Sequence, residues 1–251
     1  MYLLGYDIGS SSVKASLLDG STGKAIATAF SPKKEMEILA AKPGWAEQHP
    51  GIWWDNLIIA TKEILSKNSI NSADIKAIGI SYQMHGLVAV DKNMDVVRPS
   101  IIWCDSRAVT IGNKAFDSIG HTKCFEHFLN SPGNFTASKL KWVMENEPEV
   151  YSKIHKVMLP GDFIAMKLTG NINTTSTGLS EGILWDYKEN GVAEILLKHY
   201  SISNSLLPPL TNVFGIQGTL SSKAAAQLSL SEGTPITYRA GDQPNNAFSL
   251  N

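Results

Sequence analysis

Apolar and polar positions follow one another in three short blocks at the start of the chain. Leu3 to Ile8 is an apolar run, Gly9-Ser10-Ser11-Ser12 a polar turn, and Val13 to Leu18 a second run with small residues between larger ones. Asp19-Gly20-Ser21-Thr22-Gly23 is another turn cluster and Lys24 to Phe30 a third strand, so the pattern predicts antiparallel hairpins. Pro43-Gly44 marks a loop. His49-Pro50 then opens a helix in which Trp53, Leu57, Ala60, Thr61, Ile64 and Leu65 recur near the 3.6-residue period. Ile75 to Ser81 reads as a buried strand running into Tyr82-Gln83-Met84-His85-Gly86, and Leu87 to Val90 as a further strand turned by Asp91-Lys92-Asn93.

From Arg107 to about Gly170 the pattern is mainly helical, with Leu140, Val143 and Met144 on one face and Phe163, Ile164, Met166 and Leu168 in another helix. Thr174 to Trp185 is rich in Ser, Thr and Gly and reads as a loop that could carry binding groups. Thr234 to Ala240 is a final strand delivering Gly241-Asp242-Gln243, with Pro244 at a helix start. Alternating strand and helix signals predict a three-layer α/β fold, its mixed sheet built from strands near 3–8, 13–18, 24–30, 75–81 and 235–240. A helix opening at Pro244 has about two turns before Asn251, which predicts that these residues are a truncated piece of a longer chain.

Composition removes several classes of function. The 251 residues suit one large α/β domain or two small ones, and 43% hydrophobic content argues against disorder. No apolar run approaches the ~20 residues of a membrane span. The 22 Lys+Arg nearly cancel the 23 Asp+Glu, which argues against a generally basic nucleic-acid binder. MYLLGY lacks a basic stretch and a cleavage site, so no signal peptide is expected. Cys104 and Cys124 form no CxxC, so neither a disulfide framework nor a zinc site is expected, and a reducing cytoplasm fits.

Three segments carry candidate chemistry. In Tyr6-Asp7-Ile8-Gly9-Ser10-Ser11-Ser12-Val13-Lys14 a carboxylate precedes a turn of N–H groups and hydroxyls, then a cation. Such a turn can hold phosphate oxygens while the acid holds Mg2+ through water. It matches neither GxxxxGK[ST] nor GxGxxG, and alone it reads as an ordinary hairpin with a solvated Asp. Gly79 to Gly86 ends a strand in Gln83, Met84 and His85, where open α/β sheets bind ligands; a lone His there can also be a structural hydrogen-bonder. Gly241-Asp242 places another carboxylate after a strand, by itself a common way into a helix.

Together these segments resemble the amino-terminal half of the FGGY family of carbohydrate kinases, over the whole chain. The most specific elements are Gly5-Tyr6-Asp7-Ile8-Gly9-Ser10-Ser11-Ser12 and Gln83-Met84-His85-Gly86. Ile102-Trp103-Cys104-Asp105-Ser106-Arg107 resembles the family's W-x-D-x-R segment. Lys139-Leu140-Lys141-Trp142 resembles the core of its first signature, with Asn134 a departure at its start. Leu159-Pro160-Gly161-Asp162-Phe163 and Gly241-Asp242-Gln243 complete the series.

The resemblance implies a ribonuclease-H-like domain of the actin-like ATPase superfamily. Residues 1–251 would be the amino-terminal, sugar-binding domain, with a missing carboxy-terminal domain supplying most of the nucleotide site. It implies ATP-dependent phosphorylation of a sugar hydroxyl, with ATP and Mg2+ as cofactors. Asp242 is implied as the general base and Asp7 as the acid that supports metal and phosphate. Gly9, Ser10, Ser11, Ser12 and Lys14 are implied as the cofactor-facing turn. Phosphoryl transfer needs alignment and charge neutralisation more than covalent help, which agrees with two separate acids.

Met84-His85, where glycerol-phosphorylating relatives carry Arg-Glu, implies a ketopentose, D-xylulose first. The implied substrate contacts are Met84, His85, Gln83, Trp103 and Asp105, with a buried core ring the alternative for Trp103. Another pentulose or polyol (ribulose, glycerol, a gluconate-like sugar), a non-catalytic nucleotide-binding member of the superfamily and a simple sugar-binding module remain open. The expected partner is a small sugar, with no nucleic acid or membrane, and a homodimer is left open. These residues alone are expected to show weak or undetectable kinase activity and at best modest pentulose affinity, with an apolar face where the second domain would meet them.

Overall fold

The computed structural model describes residues 1–68, 70–248 and 250, and places six strands in one mixed sheet, ordered Phe214–Thr219, Pro235–Gly241, Ile75–Tyr82, Tyr2–Ile8, Val13–Asp19 and Ala25–Ser31. The three opening runs become β1 (Tyr2–Ile8), β2 (Val13–Asp19) and β3 (Ala25–Ser31), paired antiparallel. Leu4, Tyr6 and Ile8 on β1 and Val13, Ala15 and Leu17 on β2 are buried, each separated by a more exposed neighbour, which is the period of two that a half-covered sheet imposes. β4 (Ile75–Tyr82) lies parallel to β1, and β6 (Pro235–Gly241) parallel to β4. This is the mixed-sheet α/β architecture that the pattern predicts.

The register decides where chemistry can gather. Ile8 stands beside Tyr82, and Tyr82 beside Gly241, so β1, β4 and β6 end in line at one edge of the sheet. The segments that follow therefore emerge side by side, at the carboxyl ends of parallel strands where α/β folds commonly bind ligands. Beneath them, α1 (Gly51–Asn68) packs on β2 and β3 and buries Trp53, Leu57, Ala60, Thr61 and Ile64. The Tyr6 hydroxyl meets Thr61 Oγ1 at 2.8 Å, so this core encloses a satisfied polar pair.

A second apolar core is built from the chain between β4 and β6. It gathers Leu87, Ala89, Ile101, Phe128, Leu140 and Val143, with Leu196 and Tyr200 from further along. α2 (Thr136–Asn146) and α3 (Pro160–Thr169) fall where helices are predicted.

Four local features differ from the sequence reading. The stretch read as mainly helical contains a strand, Lys156–Met158, which pairs with Val88–Val90. The stretch read as a loop contains α4 (Ser176–Glu181), because the Thr175 side chain accepts the Gly178 N–H and caps a short helix. An edge strand, β5 (Phe214–Thr219), joins β6 antiparallel without having been predicted. Its Gly215 and Gly218 adopt φ of 118° and 155°, and Phe214 and Ile216 are exposed, so no alternating signal marks it. The last helix, α5 (Asp242–Phe248), begins at Asp242 itself. Among the described residues, no helix is long and apolar enough to cross a membrane.

Candidate active site

At the end of β1 the chain turns tightly. Gly9 N–H donates to Ser12 O at 3.1 Å, and a Cβ on Gly9 would stand 3.0 Å from that same oxygen. Gln83 N–H donates to Ile8 O at 2.8 Å, which pins the exit of β4 to the exit of β1. Asp7 and Lys14 face each other across the β1–β2 pair, with Nζ 3.2 Å from Oδ2. The Trp103 indole N–H donates to Ser10 Oγ at 3.2 Å, and the ring is 54% exposed, a rim side chain rather than a core ring.

These groups open onto two adjoining hollows. The larger, about 700 Å³, is lined by Asp7, Gly9, Ser10, Ser11, Ser12, Lys14, Ser81, Gln83, Trp103, Asp242, Asn245 and Asn246. The smaller, about 210 Å³, is lined by Gln83, Met84, His85, Trp103, Asp242 and Gln243. Gln83, Trp103 and Asp242 belong to both. The structure thus brings together every residue named from the sequence except Asp105. Gln83 is 3% exposed, yet neither end of its amide has a hydrogen-bond partner among the described residues, so a ligand offering one donor and one acceptor would satisfy it.

Asp105 is a correction. Its carboxylate is fully buried and lines neither hollow; it accepts the Ala46 N–H at 2.6 Å and the Arg107 guanidinium at 2.7 Å. A carboxylate saturated by an internal arginine holds the loop in shape and has little left to offer a sugar.

Burial raises the Asp242 carboxyl above its ordinary range, and the charge of Asp7 adds to that rise, while the Gln243 N–H on Oδ1 at 2.8 Å works against it. A carboxylate with a raised pKa holds an accepted proton more firmly, which suits it to proton transfer. Burial lowers the His85 imidazole, and the Lys139 ammonium lowers it further. His85 Nδ1 lies 3.2 Å from the main-chain carbonyl of Glu181. A carbonyl can only accept, so Nδ1 carries the proton and Nε2 remains an acceptor.

Two charged residues beside the site went unassigned in the sequence. Lys139 is fully buried in α2 and donates to the carbonyls of His85 and Ile102 at 2.8 and 2.9 Å. Glu181, at the end of α4, accepts the His85 N–H at 2.9 Å and the Tyr82 hydroxyl at 3.1 Å. Lys139 lies in Lys139-Leu140-Lys141-Trp142, and Glu181 in the Ser-, Thr- and Gly-rich stretch from Thr174 to Trp185.

The donor set also bears on metal. Among the described residues no group of three His, Cys, Asp or Glu could hold an ion. Magnesium is commonly bound through one or two carboxylates, waters and substrate phosphates. Asp7 and Asp242 line the same hollow, a donor set that fits an ion arriving with a nucleotide, and Asp7 lies beside the Gly9–Ser12 turn.

Comparison with known proteins gives a consistent picture. The model of the FGGY family of carbohydrate kinases, N-terminal domain, matches residues 2–249. A xylulose kinase of Lactococcus lactis subsp. lactis (strain IL1403) is 32% identical over 99% of this chain and 48% of its own length. The crystal structure of xylulose kinase from Rhodospirillum rubrum superposes with a TM-score of 0.89 at 26% identity, covering 98% of this chain and 50% of that one. Gluconate kinase from Lactobacillus acidophilus superposes with a TM-score of 0.86 at 25% identity, over 96% of this chain and 48% of that one. The chain spans about half the length of the curated relatives it matches.

Proposed function

The chain belongs to the FGGY family of carbohydrate kinases, and from that premise we propose that it is the sugar-holding half of an ATP-dependent pentulose kinase, with D-xylulose as substrate. One observation carries the reading: Asp242 stands on the wall shared by the phosphate-facing cleft and the small hollow that holds Met84 and His85. A hydroxyl presented from the smaller hollow toward the larger one passes this carboxylate.

The chemistry follows from the residues. Asp242 accepts the proton of the attacking hydroxyl, while the Gln243 N–H steadies the carboxylate. The Gly9–Ser12 turn and Lys14 offer N–H, hydroxyl and ammonium donors to phosphate oxygens. His85 Nε2 accepts from a sugar hydroxyl, Met84 covers a carbon edge, and the free ends of the Gln83 amide bind one hydroxyl each way. When bound, ATP supplies the phosphoryl group and its magnesium neutralises developing charge, with Asp7 as the protein ligand. The opposite wall, and with it most of the nucleotide contacts, we assign to a second domain outside these residues. The smaller hollow favours a neutral ketose over a sugar acid, since none of its described lining residues is Lys or Arg.

The test is a coupled phosphorylation assay on the full-length protein with D-xylulose, D-ribulose, glycerol and gluconate, repeated on Asp242→Asn. D-xylulose should be the best acceptor, and Asp242→Asn should keep sugar affinity while turnover drops about 10²–10⁴-fold. Near-normal turnover in Asp242→Asn would remove the base role, and a clear preference for gluconate would overturn the substrate assignment.

A further inference from the structure

His85 sits at φ 60°, the left-handed region that a non-glycine residue enters only when its surroundings hold it there. What holds it can be traced atom by atom. Its N–H donates to Glu181 Oε1 at 2.9 Å, and its carbonyl accepts from Lys139 Nζ at 2.8 Å. The same two residues reach the neighbouring walls: Glu181 Oε2 accepts the Tyr82 hydroxyl at 3.1 Å, and Lys139 Nζ also donates to Ile102 O at 2.9 Å, the residue before Trp103. The Glu181 main-chain carbonyl fixes the His85 tautomer through Nδ1. Gly241, just before the proposed base, packs against this assembly so closely that a Cβ there would lie 2.9 Å from Glu181 Oε2.

Neither Glu181 nor Lys139 lines the small hollow. We propose that Glu181 and Lys139 are positioning residues, a carboxyl and an ammonium that grip the His85 peptide from its two sides and thereby set the left-handed loop and the affinity for the sugar. For the identity of the ligand this rests on the pentulose-kinase reading; for the grip on His85 it does not. Both grips act on main-chain atoms, so they fix where the imidazole stands without consuming its hydrogen-bonding capacity at Nε2. The Nδ1–H tautomer makes that nitrogen an acceptor, which selects a ligand presenting a hydroxyl hydrogen.

The experiment compares wild type, Glu181→Ala and Glu181→Gln in three readouts: hydrogen exchange at the His85 amide by NMR, D-xylulose affinity by calorimetry, and KM against kcat in the full-length protein. Glutamine keeps an acceptor for the His85 N–H and alanine does not. In Glu181→Ala the amide should lose at least about tenfold of its protection. Its sugar dissociation constant and KM should rise at least about tenfold, with kcat changed less. Glu181→Gln should restore protection and affinity to within about threefold of wild type. Unchanged protection in Glu181→Ala, or loss of protection with unchanged sugar affinity, overturns the proposal. So does a folded Glu181→Gln that behaves like the alanine variant. Should Glu181→Ala fail to fold, a wild-type His85 amide exchanging as fast as a free peptide also overturns it. A wild type that binds no pentulose while its amide behaves as expected sinks the substrate reading and leaves the grip on His85 standing.

Discussion

Glu181→Gln also removes a proton equilibrium, and that makes its effect on stability calculable. Burial raises the Glu181 carboxyl from 4.5 to about 8, with the charges of Asp162 and Asp242 adding to the rise, while the bonds from His85 N–H and the Tyr82 hydroxyl oppose it. The folded state therefore holds this proton more tightly than the unfolded chain between those two values. Stability contributed by the protonated carboxyl is complete below pH 4.5 and is lost as pH climbs toward 8. At about 1.4 kcal/mol per pH unit, the interval sets a ceiling of about 5 kcal/mol. Water reaches the side chain through a hollow it shares with Tyr187, Phe214 and Tyr238, so about half that ceiling is the better expectation. Between pH 5 and 7 this leaves a loss of about 1–2 kcal/mol. Glutamine cannot ionise, so the variant lacks this slope. Urea unfolding at pH 5, 6, 7, 8 and 9 gives the comparison; with a slope of about 2 kcal/mol per molar urea, the wild-type midpoint should fall by about 0.5–1 M relative to the variant between pH 5 and 7. A difference that stays flat from pH 5 to 8 would mean that the carboxyl is not shut away from water, and the linkage argument would fail.

Lys139→Met tests the opposite sign. Burial lowers the ammonium from 10.5 to about 8, so its cost is fully present below pH 8 and fades as pH rises to 10.5. Wild type should gain up to about 3 kcal/mol on the variant across that window, measured by urea unfolding; a flat difference refutes it. Gly241→Ala would put a Cβ 2.5 Å from Met84 Cγ, so Met84 must move, and calorimetry should show D-xylulose affinity at least about tenfold weaker. Asp105→Asn leaves the buried Arg107 with Glu47, 2.6 Å away, as its remaining carboxylate and should cost about 1–3 kcal/mol in thermal unfolding, while the folded protein keeps its sugar affinity. Lost affinity without lost stability would return Asp105 to the sugar site.

The parts of the fold that could be read from sequence are those whose signal is local. The apolar run from Leu3 to Ile8 marks β1 directly, and the turn after Ile8 announces itself through Gly9 and three serines. Asp7, His85 and Asp242 were legible because each follows or ends a strongly patterned strand, and the register then aligns those strand ends. Glu181 was not legible. Its role arises from a main-chain N–H that lies 96 positions away, and no local pattern encodes that meeting. Asp105 shows the converse failure: a motif position suggested a ligand, whereas an arginine two residues later binds the same carboxylate. β5 escaped because edge exposure and two left-handed glycines erase the alternation by which strands are recognised.

The parallel pairing of β4 with β6 has a consequence for the order in which the molecule is made. Tyr82 ends one strand and Pro235 begins its neighbour, so the ladder between them closes a loop of all the chain in between. Joining ends that far apart costs roughly 4 kcal/mol of chain entropy, which contacts must outweigh before the pairing is favourable. The hairpins of β1 to β3 carry no such burden and can form while the rest of the chain is still being synthesised. Asp242 arrives beside Asp7 with the last strand to dock, so ligand capture is the last property the chain acquires. In refolding experiments, helix and sheet signals should recover before D-xylulose binding does, and binding that returned in step with the first hairpins would show that β6 docks early.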